Sequence, residues 1–285
     1  MKVLTTRAEV REARQAFGRL GFVPTMGYLH EGHLSLVRAA RARMGAVAVS
    51  IFVNPTQFAP TDDLARYPRD LERDLALLKA AGCDLVFTPG VEEIYPAGFS
   101  TRVEVDGVTA PLEGAVRPGH FSGVATVVLK LFNIVRPDAA WFGQKDAQQC
   151  AVLRRMAADL DLPVEVIVAP TVREPDGLAM SSRNVYLAPP ERAAAVVLIR
   201  ALRAAEAAFE TGERNADRLR EVMSDVLAAE PLARPDYVSI ANPDTLAELE
   251  TVDARGALAS LAVRIGSTRL IDNLLLGDAA QKWLR

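Results

Sequence analysis

Residues 21–53 read GFVPTMGYLHEGHLSLVRAARARMGAVAVSIFV, and this stretch contains the repeating unit of the fold. Gly21–Thr25 has the character of a strand that ends at a glycine-containing turn. A helix is expected from about Gly32 to Met44, and the β-branched run at Ala46–Val53 is typical of a second strand. This order of strand, helix and strand predicts a βαβ unit.

The same alternation continues to about residue 170. Because strands that alternate with helices form parallel sheets, the fold class is predicted to be α/β, with a Rossmann-like parallel sheet and helices on both faces. Ligands of such sheets bind beyond the carboxyl ends of the strands. The predicted helices are Arg69–Ala81, Phe121–Val135 and Asp146–Asp159, and the predicted strands are Asp84–Thr88, Ala139–Phe142 and Val164–Val168.

The composition changes after about residue 171. Alanine-rich helical stretches at Pro189–Glu210 and Arg214–Ala229 precede three strand-like runs. Helices followed by strands predict an α+β domain. We therefore expect a Rossmann-like domain over residues 1–171 and a smaller C-terminal α+β domain over 172–285 that closes over the active site. The three strand-like runs are Tyr237–Ala241, Ala259–Ile265 and Leu270–Leu276.

Bulk properties exclude several functional classes. The 285 residues carry a formal net charge of −3, so no basic excess indicates nucleic acid as a partner. The longest apolar stretches are too short to span a bilayer, and the first residues lack the apolar core of a signal peptide. Cys83 and Cys150 match no metal-binding spacing and are interpreted as core residues in a reducing compartment. The expected location is cytoplasmic.

The first candidate site is PTMGYLHEGH, residues 24–33. The start of a helix offers backbone N–H groups and a partial positive charge to a phosphate. Gly32 lets a nucleotide approach the backbone closely. His30 and His33 lie three apart and are expected to project to one side and donate hydrogen bonds to phosphate oxygens. The alternative is a pair of surface histidines near a turn.

Two further motifs follow predicted strands. In FVNPTQF, Asn54 and Gln57 are neutral polar groups suited to orienting a substrate, although Asn-Pro is also a common turn. In FGQKDAQQ, Lys145 fits a phosphate, Asp146 fits a ribose, and Gln149 lies one helical turn further on. The alternative for this motif is a helix cap at Asp146 and a surface charge at Lys145.

Two loops complete the set. In MSSRN, residues 180–184, two hydroxyls and a guanidinium suit the charge that develops on a pyrophosphate leaving group. The alternative is a cap and turn before the next helix. In RPGHFSGV, residues 117–124, His120 is the remaining histidine, and a surface position in a capping loop is the alternative.

Taken together, these segments resemble the pantothenate synthetase family, the ligases that join pantoate to β-alanine. The resemblance covers nearly the whole chain in order, ending in the late RLIDN segment. The HxGH element is shared with nucleotidyltransferases and class I aminoacyl-tRNA synthetases, and MSSR is similar to the second signature of those synthetases. FVNPTQF and RPGHFSGV are specific to the ligase family.

The resemblance implies a two-step reaction. The pantoate carboxylate attacks the α-phosphorus of ATP to give pantoyl adenylate and pyrophosphate, and the β-alanine amine then displaces AMP. The implied substrates are ATP, pantoate and β-alanine, and Mg²⁺ is the implied cofactor. The resemblance also implies a homodimer with no nucleic acid or membrane as a partner.

The resemblance assigns site residues position by position. His33, His30, Lys145, Ser182 and Arg183 are implied as catalytic. Pantoate is assigned to Gln57, Gln149, Thr25 and Met26, and Gln57 also serves β-alanine. Asn54, Arg117 and His120 are further candidates for the acid side, and Asp74 is a candidate for an indirect Mg²⁺ contact. The implied ATP-binding residues are Met26, Gly27, Tyr28, Leu29, His30, Glu31, Gly32, His33, Gly143, Gln144, Lys145, Asp146, Val172, Met180, Ser181, Ser182 and Arg183.

Departures and rival interpretations remain open. Gln144 and Ala147 stand where many relatives carry glutamate and tyrosine, and Arg73 replaces an acid found in some relatives. A nucleotidyltransferase would need a more basic pocket, and a nucleotide sensor without chemistry would be expected to have lost His30, His33, Lys145 or Arg183. The stretch at residues 58–67 is hypothesised to be mobile, and the sequence leaves open whether it closes over the site as a lid.

Overall fold

The computed structural model describes residues 1–58 and 64–284. The first of its two sheets has six strands in the order β1-β4-β3-β2-β5-β6, and each neighbouring pair is parallel. This sheet confirms the predicted α/β class. Its strands are β1 Lys2–Leu4, β2 Gly21–Thr25, β3 Val47–Ile51, β4 Leu85–Phe87, β5 Ala139–Gly143 and β6 Glu165–Ala169.

Helices connect or follow these strands. The predicted bounds of the longer helices differ from the observed ones by one or two residues. The first strand and the first helix were not predicted, because the strand is only three residues long and carries little sequence pattern. In the described part of the chain, the helices are α1 Arg7–Arg14, α2 Glu31–Met44, α3 Leu71–Ala80, α4 Val91–Ile94, α5 Glu113–Val116, α6 His120–Val135 and α7 Ala147–Asp159.

The core of this sheet explains why its strands read as apolar runs. Val47 and Val49 of β3 and Val86 of β4 are fully buried, and they form one cluster with Val37 and Ala40 of α2. Each fully buried valine side chain contributes on the order of 1.5–3 kcal/mol. The register Gly21↔Val47 to Thr25↔Ile51 keeps β2 and β3 level, so both strands end at the same edge of the sheet.

Contacts divide the described chain into two units. Unit one comprises Met1–Gly143 and Val152–Ala169, and unit two comprises Gln144–Ala151 and Pro170–Arg285. The domains predicted from the sequence, 1–171 and 172–285, place Gln144–Ala151 in the first domain. In the structure this segment belongs to unit two, where Asn273 donates hydrogen bonds to its backbone.

Unit two contains the second sheet, an antiparallel arrangement in the order β7-β8-β9 packed on helices. The single helix predicted over Pro189–Glu210 is two helices. The break is slight, because Ala195 and Val196 keep right-handed helical angles. The elements are α8 Pro189–Ala194, α9 Val197–Glu210, α10 Ala216–Ala228, β7 Ala233–Ala241, β8 Ala257–Ile265, β9 Thr268–Leu276 and α11 Ala279–Trp283.

Candidate active site

The turn after β2 is shaped by backbone geometry. Thr25 donates its hydroxyl to Ser50 O at 2.8 Å, and the Thr25 hydroxyl accepts the Gly27 N–H at 3.2 Å. Gly27 (φ +83°) and Tyr28 (φ +50°) both adopt the left-handed region, which is uncommon for a tyrosine. A Cβ at Gly27 would also lie 3.0 Å from Ile51 Cγ2. The turn therefore needs glycine at this position.

Asp74 of α3 holds the same turn from the other side. Its two carboxylate oxygens accept the N–H groups of Tyr28 and Leu29, each at 2.7 Å. The side chain is only 1% exposed, and burial raises the pKa of the Asp74 carboxyl, opposed by these two hydrogen bonds. Arg73 Nη1 donates to Leu29 O at 3.0 Å, which places a cation next to this carboxylate.

The two histidines lie where this turn enters α2. His30 has extended backbone angles and caps the helix, and its N–H donates to His33 Nδ1 at 3.3 Å. The two ring centroids are 4.1 Å apart. Because Nδ1 of His33 accepts this hydrogen bond, its neutral ring carries the proton on Nε2. The helix start thus combines backbone N–H groups with an imidazole donor, which suits an anionic ligand.

The turn after β3 presents Gln57. Asn54 Nδ2 donates to Gln57 Oε1 at 3.1 Å, and Gln57 Nε2 lies 3.2 Å from Met26 Sδ. Asn54 is 1% exposed, and its Oδ1 accepts the Tyr95 hydroxyl at 2.8 Å. Tyr95 therefore fixes the orientation of the Asn54 amide, and Asn54 in turn fixes that of Gln57.

Arg117 and His120 lie against the same turn. His120 Nδ1 is 2.8 Å from Gln57 O, and Arg117 Nη2 donates to that oxygen at 3.4 Å. Arg117 Nη1 is 3.2 Å from His120 Nε2. The structure thus brings both residues to Gln57, next to the residues predicted to bind the acid, and their binding role stays a prediction.

Gly123 sets the distance between α6 and this turn. A Cβ at Gly123 would lie 2.4 Å from Thr56 O and 2.7 Å from Gln57 N, so no larger residue fits without a shift. Asn54 Nδ2 donates to Gly123 O at 3.1 Å. Gly123, the second glycine of RPGHFSGV, is therefore required for the close packing of helix and turn.

In unit two, the predicted nucleotide-binding residues occupy two segments. Gln144–Asp146 forms a 3-10 turn before α7, and Lys145 Nζ lies 3.8 Å from Asp146 Oδ1. Val172 and Met180 are joined by a hydrogen bond from Met180 N to Val172 O at 3.0 Å. The Ser181 hydroxyl accepts the Arg183 N–H at 3.3 Å and caps the turn at Ser182–Tyr186. The capping alternative for MSSRN thus describes part of its geometry.

Each unit collects its own share of the predicted site residues. Unit one contains the residues from Thr25 to His33 together with Asn54, Gln57, Asp74, Arg117, His120 and Gly143; unit two contains Gln144, Lys145, Asp146, Gln149, Val172, Met180, Ser181, Ser182 and Arg183. Residues 59–63 of the proposed lid lie outside the described residues. Within its described part, the Phe58 and Tyr67 rings pack edge to face, 5.9 Å apart.

Sequence reasoning missed four residues that hold this machinery, namely Tyr95, Arg173, Asp272 and Asn273. RLIDN was noticed as part of the family resemblance, but nothing in its pattern indicates which loop its side chains contact. Tyr95 belongs to no motif. A tyrosine placed after a short helix gives no signal of a hydrogen bond to Asn54, 41 residues earlier in the chain.

Among residues 1–58 and 64–284, no three His, Cys, Asp or Glu side chains are grouped closely enough to hold a metal ion. Each Asp74 oxygen already accepts one backbone hydrogen bond, so its predicted indirect contact with Mg²⁺ stays a prediction. No helix in the described part of the chain is both long and apolar enough to cross a membrane.

Comparison with known proteins decides the family. The family model described as "Pantoate-beta-alanine ligase" matches residues 2–275. The chain belongs to the pantoate-beta-alanine ligase family. Curated relatives named pantothenate synthetase include one from Herpetosiphon aurantiacus, 64% identical over 97% of this chain and 100% of its own length. Another, from Roseiflexus sp., is 67% identical over 97% of this chain and 99% of its own length.

Solved structures of pantoate-beta-alanine ligases share the fold. Pantothenate synthetase from Thermus thermophilus superposes with a TM-score of 0.93 at 55% identity, covering 96% of this chain and 99% of that one. The ligase from Francisella tularensis, complexed with beta-gamma ATP and beta-alanine, has a TM-score of 0.80 at 35% identity, covering 96% and 97%. These likenesses agree with the fold class predicted from the sequence.

Proposed function

We propose that this pantoate-beta-alanine ligase condenses pantoate with β-alanine at the expense of ATP, releasing AMP and pyrophosphate through a pantoyl-adenylate intermediate. The observation that carries the proposal is the pairing, in unit one, of the His30–His33 helix start with the Met26–Gln57 contact. An anion-binding group thus lies in the same strand-end region as a neutral amide suited to a small hydroxy acid. The Francisella tularensis relative, described with beta-gamma ATP and beta-alanine, supports the same pair of substrates.

The first step forms the acyl adenylate. A pantoate carboxylate oxygen attacks the α-phosphorus, the bond to the β-phosphate oxygen breaks, and pyrophosphate leaves with the electron pair. His33 Nε2–H and the α2 backbone N–H groups donate to phosphate oxygens as negative charge builds up. Lys145, Ser182 and Arg183 have the charges and donors to steady the phosphates. Gln57, Gln149, Thr25 and Met26 hold pantoate in line for attack.

The second step uses no protein nucleophile. The uncharged amine of β-alanine attacks the acyl carbon, the bond from that carbon to the phosphate oxygen breaks, AMP leaves with the electron pair, and the amine nitrogen loses a proton to solvent. Gln57 is assigned to β-alanine as well as pantoate. Asn54 and Tyr95 support this role because they fix the orientation of the Gln57 amide. Arg117 and His120 lie at the Gln57 carbonyl and are proposed to contribute to the acid-binding side.

Mg²⁺ is proposed to arrive as the MgATP complex. Mg²⁺ commonly retains several waters and binds mainly through substrate phosphates. The described residues show no cluster that would replace those ligands. No residue is therefore assigned to the ion beyond the predicted indirect contact of Asp74.

Assembly and location follow from the family resemblance. We propose a homodimer that acts in the cytoplasm. Cys83 and Cys150 are both buried.

Pyrophosphate release from the purified protein tests the function. MgATP is supplied with pantoate alone, β-alanine alone, both acids, or neither. We expect about one equivalent of pyrophosphate with pantoate alone, and continuous release of AMP once β-alanine is added. If no pyrophosphate is released in any of the four mixtures, the proposed ligation is overturned. That result would favour a transferase with another acceptor or a nucleotide sensor.

A further inference from the structure

Two consecutive side chains of β9 each engage a different nucleotide-binding segment of unit two. Asn273 Nδ2 donates to Gln144 O at 3.0 Å and to Lys145 O at 2.9 Å, and its Oδ1 accepts Gln144 Nε2 at 3.1 Å. Asn273 is 2% exposed. The amide therefore uses both of its N–H groups and its oxygen on the turn that carries Lys145.

Asp272 reaches the other segment through Arg173. Its two oxygens accept Arg173 Nη1 at 2.6 Å and Nη2 at 3.0 Å, in a bidentate pair. Arg173 also donates to Gly177 O at 3.1 Å and to Asn273 O at 3.3 Å. Arg173 thus spans the hairpin that runs from Val172 to Met180 and leads directly into Ser181–Arg183.

Asn273 receives no hydrogen bond from the side chain opposite it in the sheet. Ser260 of β8 is the cross-strand partner of Asn273, and its buried hydroxyl makes no hydrogen bond to any described residue. Directly opposed residues of an antiparallel pair lie on the same face. A buried amide on that face carries a desolvation cost that its three hydrogen bonds to the Lys145 turn offset.

We infer that Asn273 and Asp272 are positioning residues for adenylate formation. Asn273 holds the backbone from which Lys145 extends, and Asp272 holds the segment from which Ser182 and Arg183 extend. Both groups act through these residues rather than by contact with substrate. The inference rests on the proposed function, because Lys145, Ser182 and Arg183 are assigned to the phosphates there.

A double-mutant cycle tests this coupling. Single-turnover pyrophosphate release is measured for wild type, Asn273→Ala, Lys145→Ala and the double variant, with Ser260→Ala as the control from the same register. We expect Asn273→Ala alone to slow the step about 10–100-fold. In the Lys145→Ala background the same change should cost less than about threefold, because the group it positions is gone. Equal losses in both backgrounds would overturn the positioning role.

Asp272→Asn keeps the volume of the side chain and weakens its hold on Arg173. We expect the KM for ATP to rise about five- to tenfold, while Ser260→Ala leaves KM and kcat within about twofold of wild type. An unchanged KM and kcat in Asp272→Asn would remove Asp272 from the mechanism. If Asn273→Ala does not fold, Asn273→Ser, which keeps one short donor, replaces it in the cycle.

Hydrogen exchange separates failure of this inference from failure of the proposed function. In Asn273→Ala, amides of residues 144–149 should exchange at least about tenfold faster, whereas those of β8 should not change. Unchanged exchange over 144–149 would overturn the inference even in an active enzyme. If wild type releases no pyrophosphate, the proposed function fails. ATP affinity of the same variants, measured by calorimetry, then decides whether Asn273 supports nucleotide binding.

Discussion

The two units hold their site residues by different means. In unit one, the ends of β2 and β3 deliver the turns directly, and left-handed backbone at Gly27 and Tyr28 leads into the capped start of α2. In unit two, side chains from one late strand reach back to the Lys145 turn and to the Val172–Met180 hairpin. Strand ends and left-handed backbone thus set the turns of unit one, with Asp74 and Tyr95 as side-chain supports, whereas unit two relies on buried side-chain networks. We therefore expect substitutions to change stability and kinetic constants differently in the two units.

The largest expected effect lies at the helix start of unit one. His33→Ala should slow adenylate formation about 100-fold or more, because it removes a donor to the developing phosphate charge. Quench-flow measurement of pyrophosphate with MgATP and pantoate checks this. The melting temperature should stay within a few degrees of wild type. Pre-steady-state rates equal to wild type would remove His33 from the chemistry.

Gly123→Ala tests backbone packing without touching a proposed catalytic group. The added methyl would lie 2.4 Å from Thr56 O, so α6 must move away from the Gln57 turn. We expect a loss of about 1–3 kcal/mol in the free energy of unfolding and a higher KM for pantoate. Gly18→Ala is the matched control, because a Cβ there meets nothing within 4 Å. Equal unfolding curves for the two variants would contradict the packing argument.

Tyr95→Phe measures how far unit one depends on the hydrogen bonds from Tyr95 to Asn54 and from Asn54 to Gln57. The change removes the hydroxyl that donates to Asn54 at 2.8 Å and lies 3.1 Å from Thr56 Oγ1. We expect a loss of about 0.5–1.5 kcal/mol in unfolding free energy and a rise of several-fold in the KM for pantoate, with little change in kcat. A large fall in kcat with unchanged KM would instead give Tyr95 a role in the chemical step.

The smallest expected effect concerns the two cysteines. Cys83 lies in unit one and Cys150 in unit two, so thiol labelling reports local opening of each unit separately. Burial raises the pKa of the Cys83 thiol to about 12 from an ordinary value of 9.0. Above about pH 9 the unfolded chain loses the thiol proton while the folded protein keeps it. The contribution of Cys83 to the free energy of unfolding therefore falls between about pH 9 and 12. At pH 8 neither Cys83 nor buried Cys150 should react with a thiol reagent in the native protein, and both should react in urea. Rapid native labelling of either would show local opening of its unit.

Sequence reasoning predicts geometry best where the groups concerned share one short segment. His30 and His33 lie three residues apart and were expected to project to one side, and their ring centroids are 4.1 Å apart. Their role in catalysis stays a prediction. The alternation of strands and helices likewise predicts the parallel sheet.

The same reasoning failed where partners are far apart in the chain. Asp74 supports Tyr28 from 46 residues away, and Asn273 supports Lys145 from 128 residues away. A single sequence contains no record of such pairings, because they depend on how the elements pack. Nothing in the sequence indicates that Gln144–Ala151 belongs to unit two, because the residue that holds this segment lies far along the chain.

The distance between Gln144 and Asn273 also has a consequence during protein synthesis. The two residues are 129 positions apart. At about 5–20 residues per second, a ribosome makes Asn273 roughly 6–26 s after Gln144. The Lys145 turn therefore emerges into solution long before the amide that orders it. A nascent chain can complete the parallel-strand turns of unit one well before the proposed nucleotide-binding segments of unit two acquire their final geometry.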